Sequence, residues 1–254
     1  MFFLFMIPAC YYCWTQREIK KYVLMGLFLL VTIPVLIWIS SNTSMRVISG
    51  LIGCAAVVSF YMNARLLRYL VFAGVVFTCL TAPMFAQSLR NIDGIMESDI
   101  ANTLKSRIEI WDLTARRSYE SPFIGWGLKS SPYMPNRDEI SVLYAEETPI
   151  AHLHPHNGVL QIWFEFGLLG IIFLMGLCAI IIKKVASVPE PLIQNICLLG
   201  LMAGFMVILP SFGIWQTWFM STLAFFGCMM VCVIGAYSNR DKGMSVEDEK
   251  RATI

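Results

Sequence analysis

Charged side chains are scarce in this chain, at 14% of its 254 residues, where a soluble domain carries about 25%. The formal net charge is only +2, so no broad basic surface points to nucleic acid. Cysteine is absent from the polar parts of the chain. Cys10, Cys13, Cys54, Cys79, Cys178, Cys197, Cys228 and Cys232 all stand in apolar stretches, which excludes a disulfide-stapled extracellular fold. Cys10 and Cys13 form a Cys-x-x-Cys without a second pair, inside an aromatic and apolar run, and read as small packing residues. Residues 1–14 lack a basic leading segment and a small-residue cleavage site, which speaks against a signal peptide. Internal repeats and low-complexity runs are also missing. What fills the chain instead is apolar: 57% of residues are hydrophobic and the mean hydropathy is +0.65. Lipid is the solvent that suits this composition, because a bilayer core of about 30 Å takes roughly 20 apolar residues per helix.

Apolar runs between charges mark seven segments, at residues 1–14, 22–39, 47–62, 69–87, 167–182, 192–210 and 218–237. All are expected to be helices, since lipid offers no water to unpaired backbone groups. The first is too short to span alone. The fold class expected is therefore all-α, a polytopic transmembrane bundle forming a single domain over residues 1–254. Arg17, Lys20 and Lys21 follow the first segment, Arg65 and Arg68 the third, and Lys183 and Lys184 the fifth. Arg240, Lys242, Lys250 and Arg251 follow the last. These regions hold eleven of the nineteen basic residues, against Arg46 alone in the short connections opposite. The positive-inside rule places them in the cytoplasm, together with the tail 238–254. Residues 88–157 then form one long extracytoplasmic loop. The mixed-charge stretch 241–251 reads as a solvated terminus.

That loop holds ten of the seventeen acidic residues, all three histidines, and Pro122, Pro132, Pro135, Pro149 and Pro155. Loops of this length are commonly functional when they are ordered, and the Gly125-Trp126-Gly127 turn and nearby aromatic residues favour order. Residues 103–119 read as a helix, with Leu104, Ile108, Trp111 and Ala115 on one face.

His152, His154 and His156 alternate, and in an extended segment would share one side, a pattern that suits zinc if Glu146 or Glu147 adds a ligand. A second pattern is more specific. His156-Asn157 is followed after nine residues by Gly167-Leu168-Leu169-Gly170. Upstream stand Arg107-x3-Trp111-x10-Pro122-x2-Gly125-x-Gly127 and, at the outer start of a span, Ser44-Met45-Arg46. In order and in spacing these resemble the signatures of the O-antigen ligase and polymerase family of membrane glycosyltransferases. Members commonly carry many more spans, so the chain looks like the C-terminal part of such a protein, beginning inside a helix and lacking part of the lipid groove.

The resemblance implies metal-independent, inverting transfer of a glycan from undecaprenyl diphosphate at the periplasmic face of the bacterial inner membrane, without a cofactor. The acceptor would be lipid A–core or the end of another lipid-linked glycan. Arg46 and Arg107 would hold the diphosphate and His156 would assist the acceptor hydroxyl, with His154, Asn157, Arg116, Arg117 and Glu165 lining the substrate site. The chemistry of these side chains agrees. Arginine forks bind phosphate oxygens and stay charged, and histidine titrates near neutral pH. Each also has a plainer reading. Arg46 could snorkel at a helix end, Arg107 could pair with Asp112 or Glu109, and Glu165, bordering a span, could pair with a loop arginine. Trp163, Trp215 and Trp218 read as interfacial anchors before sugar platforms. Two rival functions are a non-catalytic transporter or scaffold of polysaccharide export, which would want ionisable groups inside the spans, and a zinc enzyme built on the three histidines.

Overall fold

The computed structural model describes residues 62–92, 102–134, 154–209 and 213–252. The expected segments at 1–14, 22–39 and 47–62 lie outside these residues, apart from Met62, as do Arg46, Glu146, Glu147 and His152. Five α-helices are described: α1 (Ala64–Arg90), α2 (Asn102–Ser118), α3 (Gly158–Ala186), α4 (Pro191–Ile208) and α5 (Thr217–Ala252), with a short 3-10 turn at Ser131–Tyr133. No strand occurs among the described residues, and the chain is all-α. α1, α3 and α4 are each long and apolar enough to cross a membrane, and Thr217–Cys232 is a shorter apolar stretch within α5.

One compact unit comprises Tyr69–Lys183 and Phe205–Met220. It holds α2, most of α1 and α3, and the turn before α5. α1 starts where Asn63 Oδ1 accepts the N–H groups of Arg65 and Leu66, a side-chain cap. Its buried stripe, Val71, Val75, Cys79, Ala82 and Ala86, repeats at the three- and four-residue spacing of one helical face. Phe77, Met84 and Phe85 on other faces are more than half exposed, as lipid-facing side chains would be. Pro83 inside α1 lacks the N–H that would close the bond to the Cys79 carbonyl. The Trp163 indole N–H donates to that carbonyl instead, at 2.7 Å. A helix defect on α1 thereby becomes the anchor point for α3. Ile110 and Leu113 from α2 form a small core with Met134 and Phe164.

The other unit includes Lys184–Gly204 and the chain from Ser221. Within it α4 buries Ile193, Ile196, Cys197 and Leu198. Gly200 lets α4 pass close to α5, since a methyl group there would lie 3.2 Å from the Phe226 ring and 3.3 Å from Met230.

Two boundaries differ from the sequence reading. The fifth apolar segment, expected to start at 167, belongs to a helix that already begins at Gly158. Glu165 interrupts the apolar run but not the helix, because its carboxylate is satisfied inside the protein. The last helix runs on through 241–251 to Ala252. Charge composition reports on solvent there, not on where a backbone stops being helical.

Candidate active site

α3 is interrupted at Gly167, whose φ of +59° and ψ of −151° are open in practice only to glycine. In an unbroken helix the carbonyls of residues 164 and 165 would accept the N–H groups of residues 168 and 169. Segment 121–127 stands between them. The N–H groups of Trp126 and Gly127 donate to the Phe164 and Glu165 carbonyls at 2.9 Å each. Those of Leu168 and Leu169 donate to the Pro122 and Phe123 carbonyls at 2.8 and 3.1 Å. The loop replaces both missing helical bonds with four of its own. Glycine is needed on each side of this joint. A Cβ on Gly125 (φ +67°) would overlap the backbone of Glu165 and Phe166, and one on Gly167 would lie 2.6–2.7 Å from the backbone of Pro122 and Phe123. Pro122-x2-Gly125-x-Gly127 and Gly167-x2-Gly170, forty residues apart, are two halves of one interlock. Trp126 completes it by stacking on Phe164 at 6.1 Å and donating its indole N–H to the Arg117 carbonyl.

The histidine turn precedes the same helix. Asn157 Oδ1 accepts the N–H groups of Val159 and Leu160 at 3.1 Å each and so caps α3. His156 before it sits at φ +52°, a left-handed conformation that costs a non-glycine residue roughly 1–2 kcal/mol. The cap and the following helix hold it there. From α2, the Trp111 indole N–H donates to the Pro155 carbonyl at 2.9 Å, between the two described histidines. The rings of His154 and His156 meet edge to face at 4.3 Å. His154 also lies 3.2 Å from Gln216 Nε2 and covers Gly213, where a Cβ would come within 2.6 Å of the ring.

Glu165 is fully buried. Its Oε1 accepts Ser131 Oγ at 2.6 Å and Gln161 Nε2 at 2.9 Å, and its Oε2 accepts the Lys129 N–H at 3.0 Å and Trp215 Nε1 at 2.5 Å. The arginine partner that the sequence suggested is replaced by four neutral donors. Three of the four come from loop 129–131 and segment 213–216, and Gln161 Oε1 in turn accepts the Ile214 N–H. A carboxylate with this many donors ties together the segments that hold His154. Ser131, Gln161, Trp215 and Gln216 were not singled out for this role from sequence, where Trp215 reads as an interfacial anchor. The only signal was an acid at the edge of an apolar run.

Arg107 lies on α2 one turn before Trp111, on the same face. It is half-buried, and burial pulls its pKa below the ordinary value, although arginine remains charged at physiological pH. Its neighbours are committed to acids. Asp112 binds Arg116 at 2.9 Å and Arg90 at 3.4 Å, and Arg117 binds Glu120 at 2.5 Å. Among the described residues no third His, Cys, Asp or Glu joins a group able to hold a metal.

Similarity to known proteins follows the same segments. The O-antigen ligase family model matches residues 25–175. A Rickettsia conorii protein provisionally named a polysaccharide ligase is 31% identical over 117 residues, covering 46% of this chain and 28% of its own length. Rickettsia prowazekii and Rickettsia felis proteins of the same provisional name are 26% and 25% identical over 164 and 169 residues. They cover 62% and 64% of this chain and 40% and 41% of their own lengths. The chain therefore spans less than half the length of these relatives. No solved structure matches it significantly. Both glycine motifs of the interlock, the histidine turn and three helices fit to cross a bilayer fall within or beside the matched region, and the chain is a multi-pass membrane protein that belongs to the O-antigen ligase family.

Proposed function

We propose that this chain carries the extracytoplasmic active-site loop of an enzyme that transfers or polymerises glycan from an undecaprenyl-diphosphate donor at the periplasmic face of the inner membrane. The observation that carries the reading is the Trp111–Pro155 bond. It draws the helix bearing Arg107 to the turn bearing His156, two elements more than forty residues apart. Arg107, together with Arg46, binds the diphosphate. His156 takes the proton from the acceptor hydroxyl as its oxygen attacks the anomeric carbon. The bond from that carbon to the diphosphate oxygen breaks on the opposite face, which inverts the centre, and the electron pair leaves on the diphosphate. Fixed guanidinium charges offset the charge that develops there, so the scheme calls for no metal. The acceptor is a hydroxyl of lipid A–core or of a second lipid-linked glycan, and the same chemistry serves both. Asn157, capping the helix, and Glu165, tying loop to helix, act by positioning the turn. Arg116 and Arg117 border the site with their charge partly offset by Asp112 and Glu120.

The test is donor turnover in a full-length relative carrying the corresponding substitutions. His156→Ala abolishes transfer while the protein still accumulates in the membrane, and His152→Ala or His154→Ala costs less. Arg46→Lys and Arg107→Lys each cost well over tenfold, roughly, because lysine lacks the planar fork. Their double mutant loses less than the product of the two, as for residues working on one group. Equal losses at all three histidines, restored by zinc, would sink this scheme in favour of a metal site.

A further inference from the structure

Segment 121–128, Ser-Pro-Phe-Ile-Gly-Trp-Gly-Leu, is free of charge between Glu120 and Lys129. Phe123, Ile124 and Leu128 are 68%, 67% and 58% exposed, and Trp126, which stacks on Phe164, is still 42% exposed, a cost in water for an uncharged loop. Irregular backbone enters hydrocarbon only when its polar groups are satisfied within the protein. This loop meets that condition over its Gly125–Gly127 turn and where it joins α3. The N–H groups of Gly125, Trp126 and Gly127 are bonded, as are the carbonyls of Ser121, Pro122, Phe123 and Gly127, and Ser121 Oγ donates to the Gly125 carbonyl.

Its position relative to α3 supplies the second argument. The Phe123 carbonyl is bonded to Leu169, the start of a surface on which Leu169, Ile172 and Phe173 are 61%, 52% and 75% exposed. From Gly167 to Lys183 and Lys184 the helix rises about 24–26 Å at 1.5 Å per residue, a few Å short of the roughly 30 Å of a bilayer core. Lys183 and Lys184 stand at its far end. With those lysines at one headgroup layer, the Gly167 break falls just inside the other. The exposed loop side chains then continue the lipid-facing surface of α3 at that depth.

We propose that the tip of this loop is a membrane-seated element, with Phe123, Ile124 and Leu128 inserted among the lipid acyl chains just below the headgroups. Glu120 and Lys129 mark the polar edge at which it stops. The bilayer itself holds the loop half of the interlock against α3. This inference rests on the chain's being membrane-embedded and is independent of the catalytic reading.

The experiment labels Phe123→Cys, Ile124→Cys and, as a water-facing control, Glu120→Cys with the environment-sensitive fluorophore NBD. Each full-chain variant is reconstituted into vesicles of phosphatidylethanolamine and phosphatidylglycerol, and the emission of identically treated wild type is subtracted. At Phe123 and Ile124 the emission moves to shorter wavelength. It is quenched by about half by lipids bearing a nitroxide on an upper acyl carbon and little by aqueous iodide, the depth expected of an interfacial anchor. At Glu120 the order of the two quenchers reverses. Iodide quenching at Phe123 or Ile124 equal to that at Glu120 would place the loop in water and overturn the proposal. Blue-shifted emission that neither quencher reaches would show a protein surface covering the tip and overturn it equally.

Discussion

The two halves of α3 are both rich in apolar residues but differ in environment. The first is almost wholly buried, and the second is exposed except along a stripe of Ile171, Cys178 and Val185. Before the Gly167 break, Val159, Leu160, Gln161, Phe164 and Glu165 are all almost fully buried. After it, Leu169, Ile172, Phe173, Leu177 and Ile180 are between 45% and 75% exposed. As one helix, the two halves together are long and apolar enough to cross a membrane. The difference lies in what each half carries between its apolar residues. The first half includes Gln161, Glu165 and Trp163, whose polar groups need partners, and it obtains them from α1, the 129–131 loop and segment 213–216. The second half is almost purely aliphatic and aromatic up to its lysines, and demands no partner beyond lipid. Polar groups embedded in an apolar run thus mark where a membrane helix is held by protein.

The strongest way to break this contrast is to remove the joint between the halves. Gly167→Ala places a Cβ against the backbone of Pro122 and Phe123, in a conformation closed to alanine. Neither backbone can yield without losing the interlock bonds. Such a substitution should destabilise the protein by more than about 4 kcal/mol, in the class where strain at a special backbone angle dominates. Gly176, in the second half, has open space around its Cβ position, and Gly176→Ala should change stability by less than about 1 kcal/mol, favourably if at all. Thermal melting of the purified variants in detergent checks the pair. Equal melting temperatures would mean that the joint does not hold the two halves.

A smaller effect separates two phenylalanines of the same helix. Phe164 is 1% exposed and packs in the core with Ile110, Leu113 and Met134. Phe164→Ala should cost about 3–5 kcal/mol. Phe173 is 75% exposed, so Phe173→Ala leaves no internal cavity and should fall within about 0.5 kcal/mol of wild type. The same melting assay reads both, and a comparable loss at Phe173 would show that protein, not lipid, covers the second half.

The smallest expected effect tests the loop helix that packs on the first half. Glu109 is buried on α2 with Oε2 lacking a hydrogen-bond partner. Desolvation pushes its carboxyl above the usual range, and the Arg90 charge pulls part of the way back. Because the folded pKa is raised, the contribution of Glu109 is fully present below its unfolded value of about 4.3. It is lost as pH rises through the folded value. Glu109→Gln should therefore gain in melting temperature relative to wild type as pH is raised across that window. A difference between the two proteins that stays constant with pH would show that Glu109 does not titrate upward in the fold.

Much of the architecture was legible beforehand. The loop helix read at 103–119 is α2, Asn102–Ser118, because its apolar spacing matches one helical face and needs no distant partner to be recognised. The segments read at 69–87 and 192–210 fall within or close to α1 and α4, since length and composition suffice for a span. The motif residues were legible as types and spacings, but their packing partners were not. That Asn157 Oδ1 caps α3 was not read beforehand. Glu165 looked like an ion-pair partner and binds four neutral donors. Pro83 gave no hint that Trp163 would complete its missing bond.

The sequence by itself determined that this is a helical membrane chain with one long polar loop, because those properties follow from local composition and period. It also set the types and spacings of the motif glycines and histidines. Only the tertiary structure decided that the Gly125–Gly127 turn enters the break at Gly167, that Trp111 reaches Pro155, and that loop and helix meet on one carboxylate. Each of these joins residues more than thirty positions apart through backbone or buried polar groups. A carbonyl left open by a broken helix accepts any N–H that the fold brings to it, so its partner is chosen by geometry and leaves no mark in the local pattern of residues.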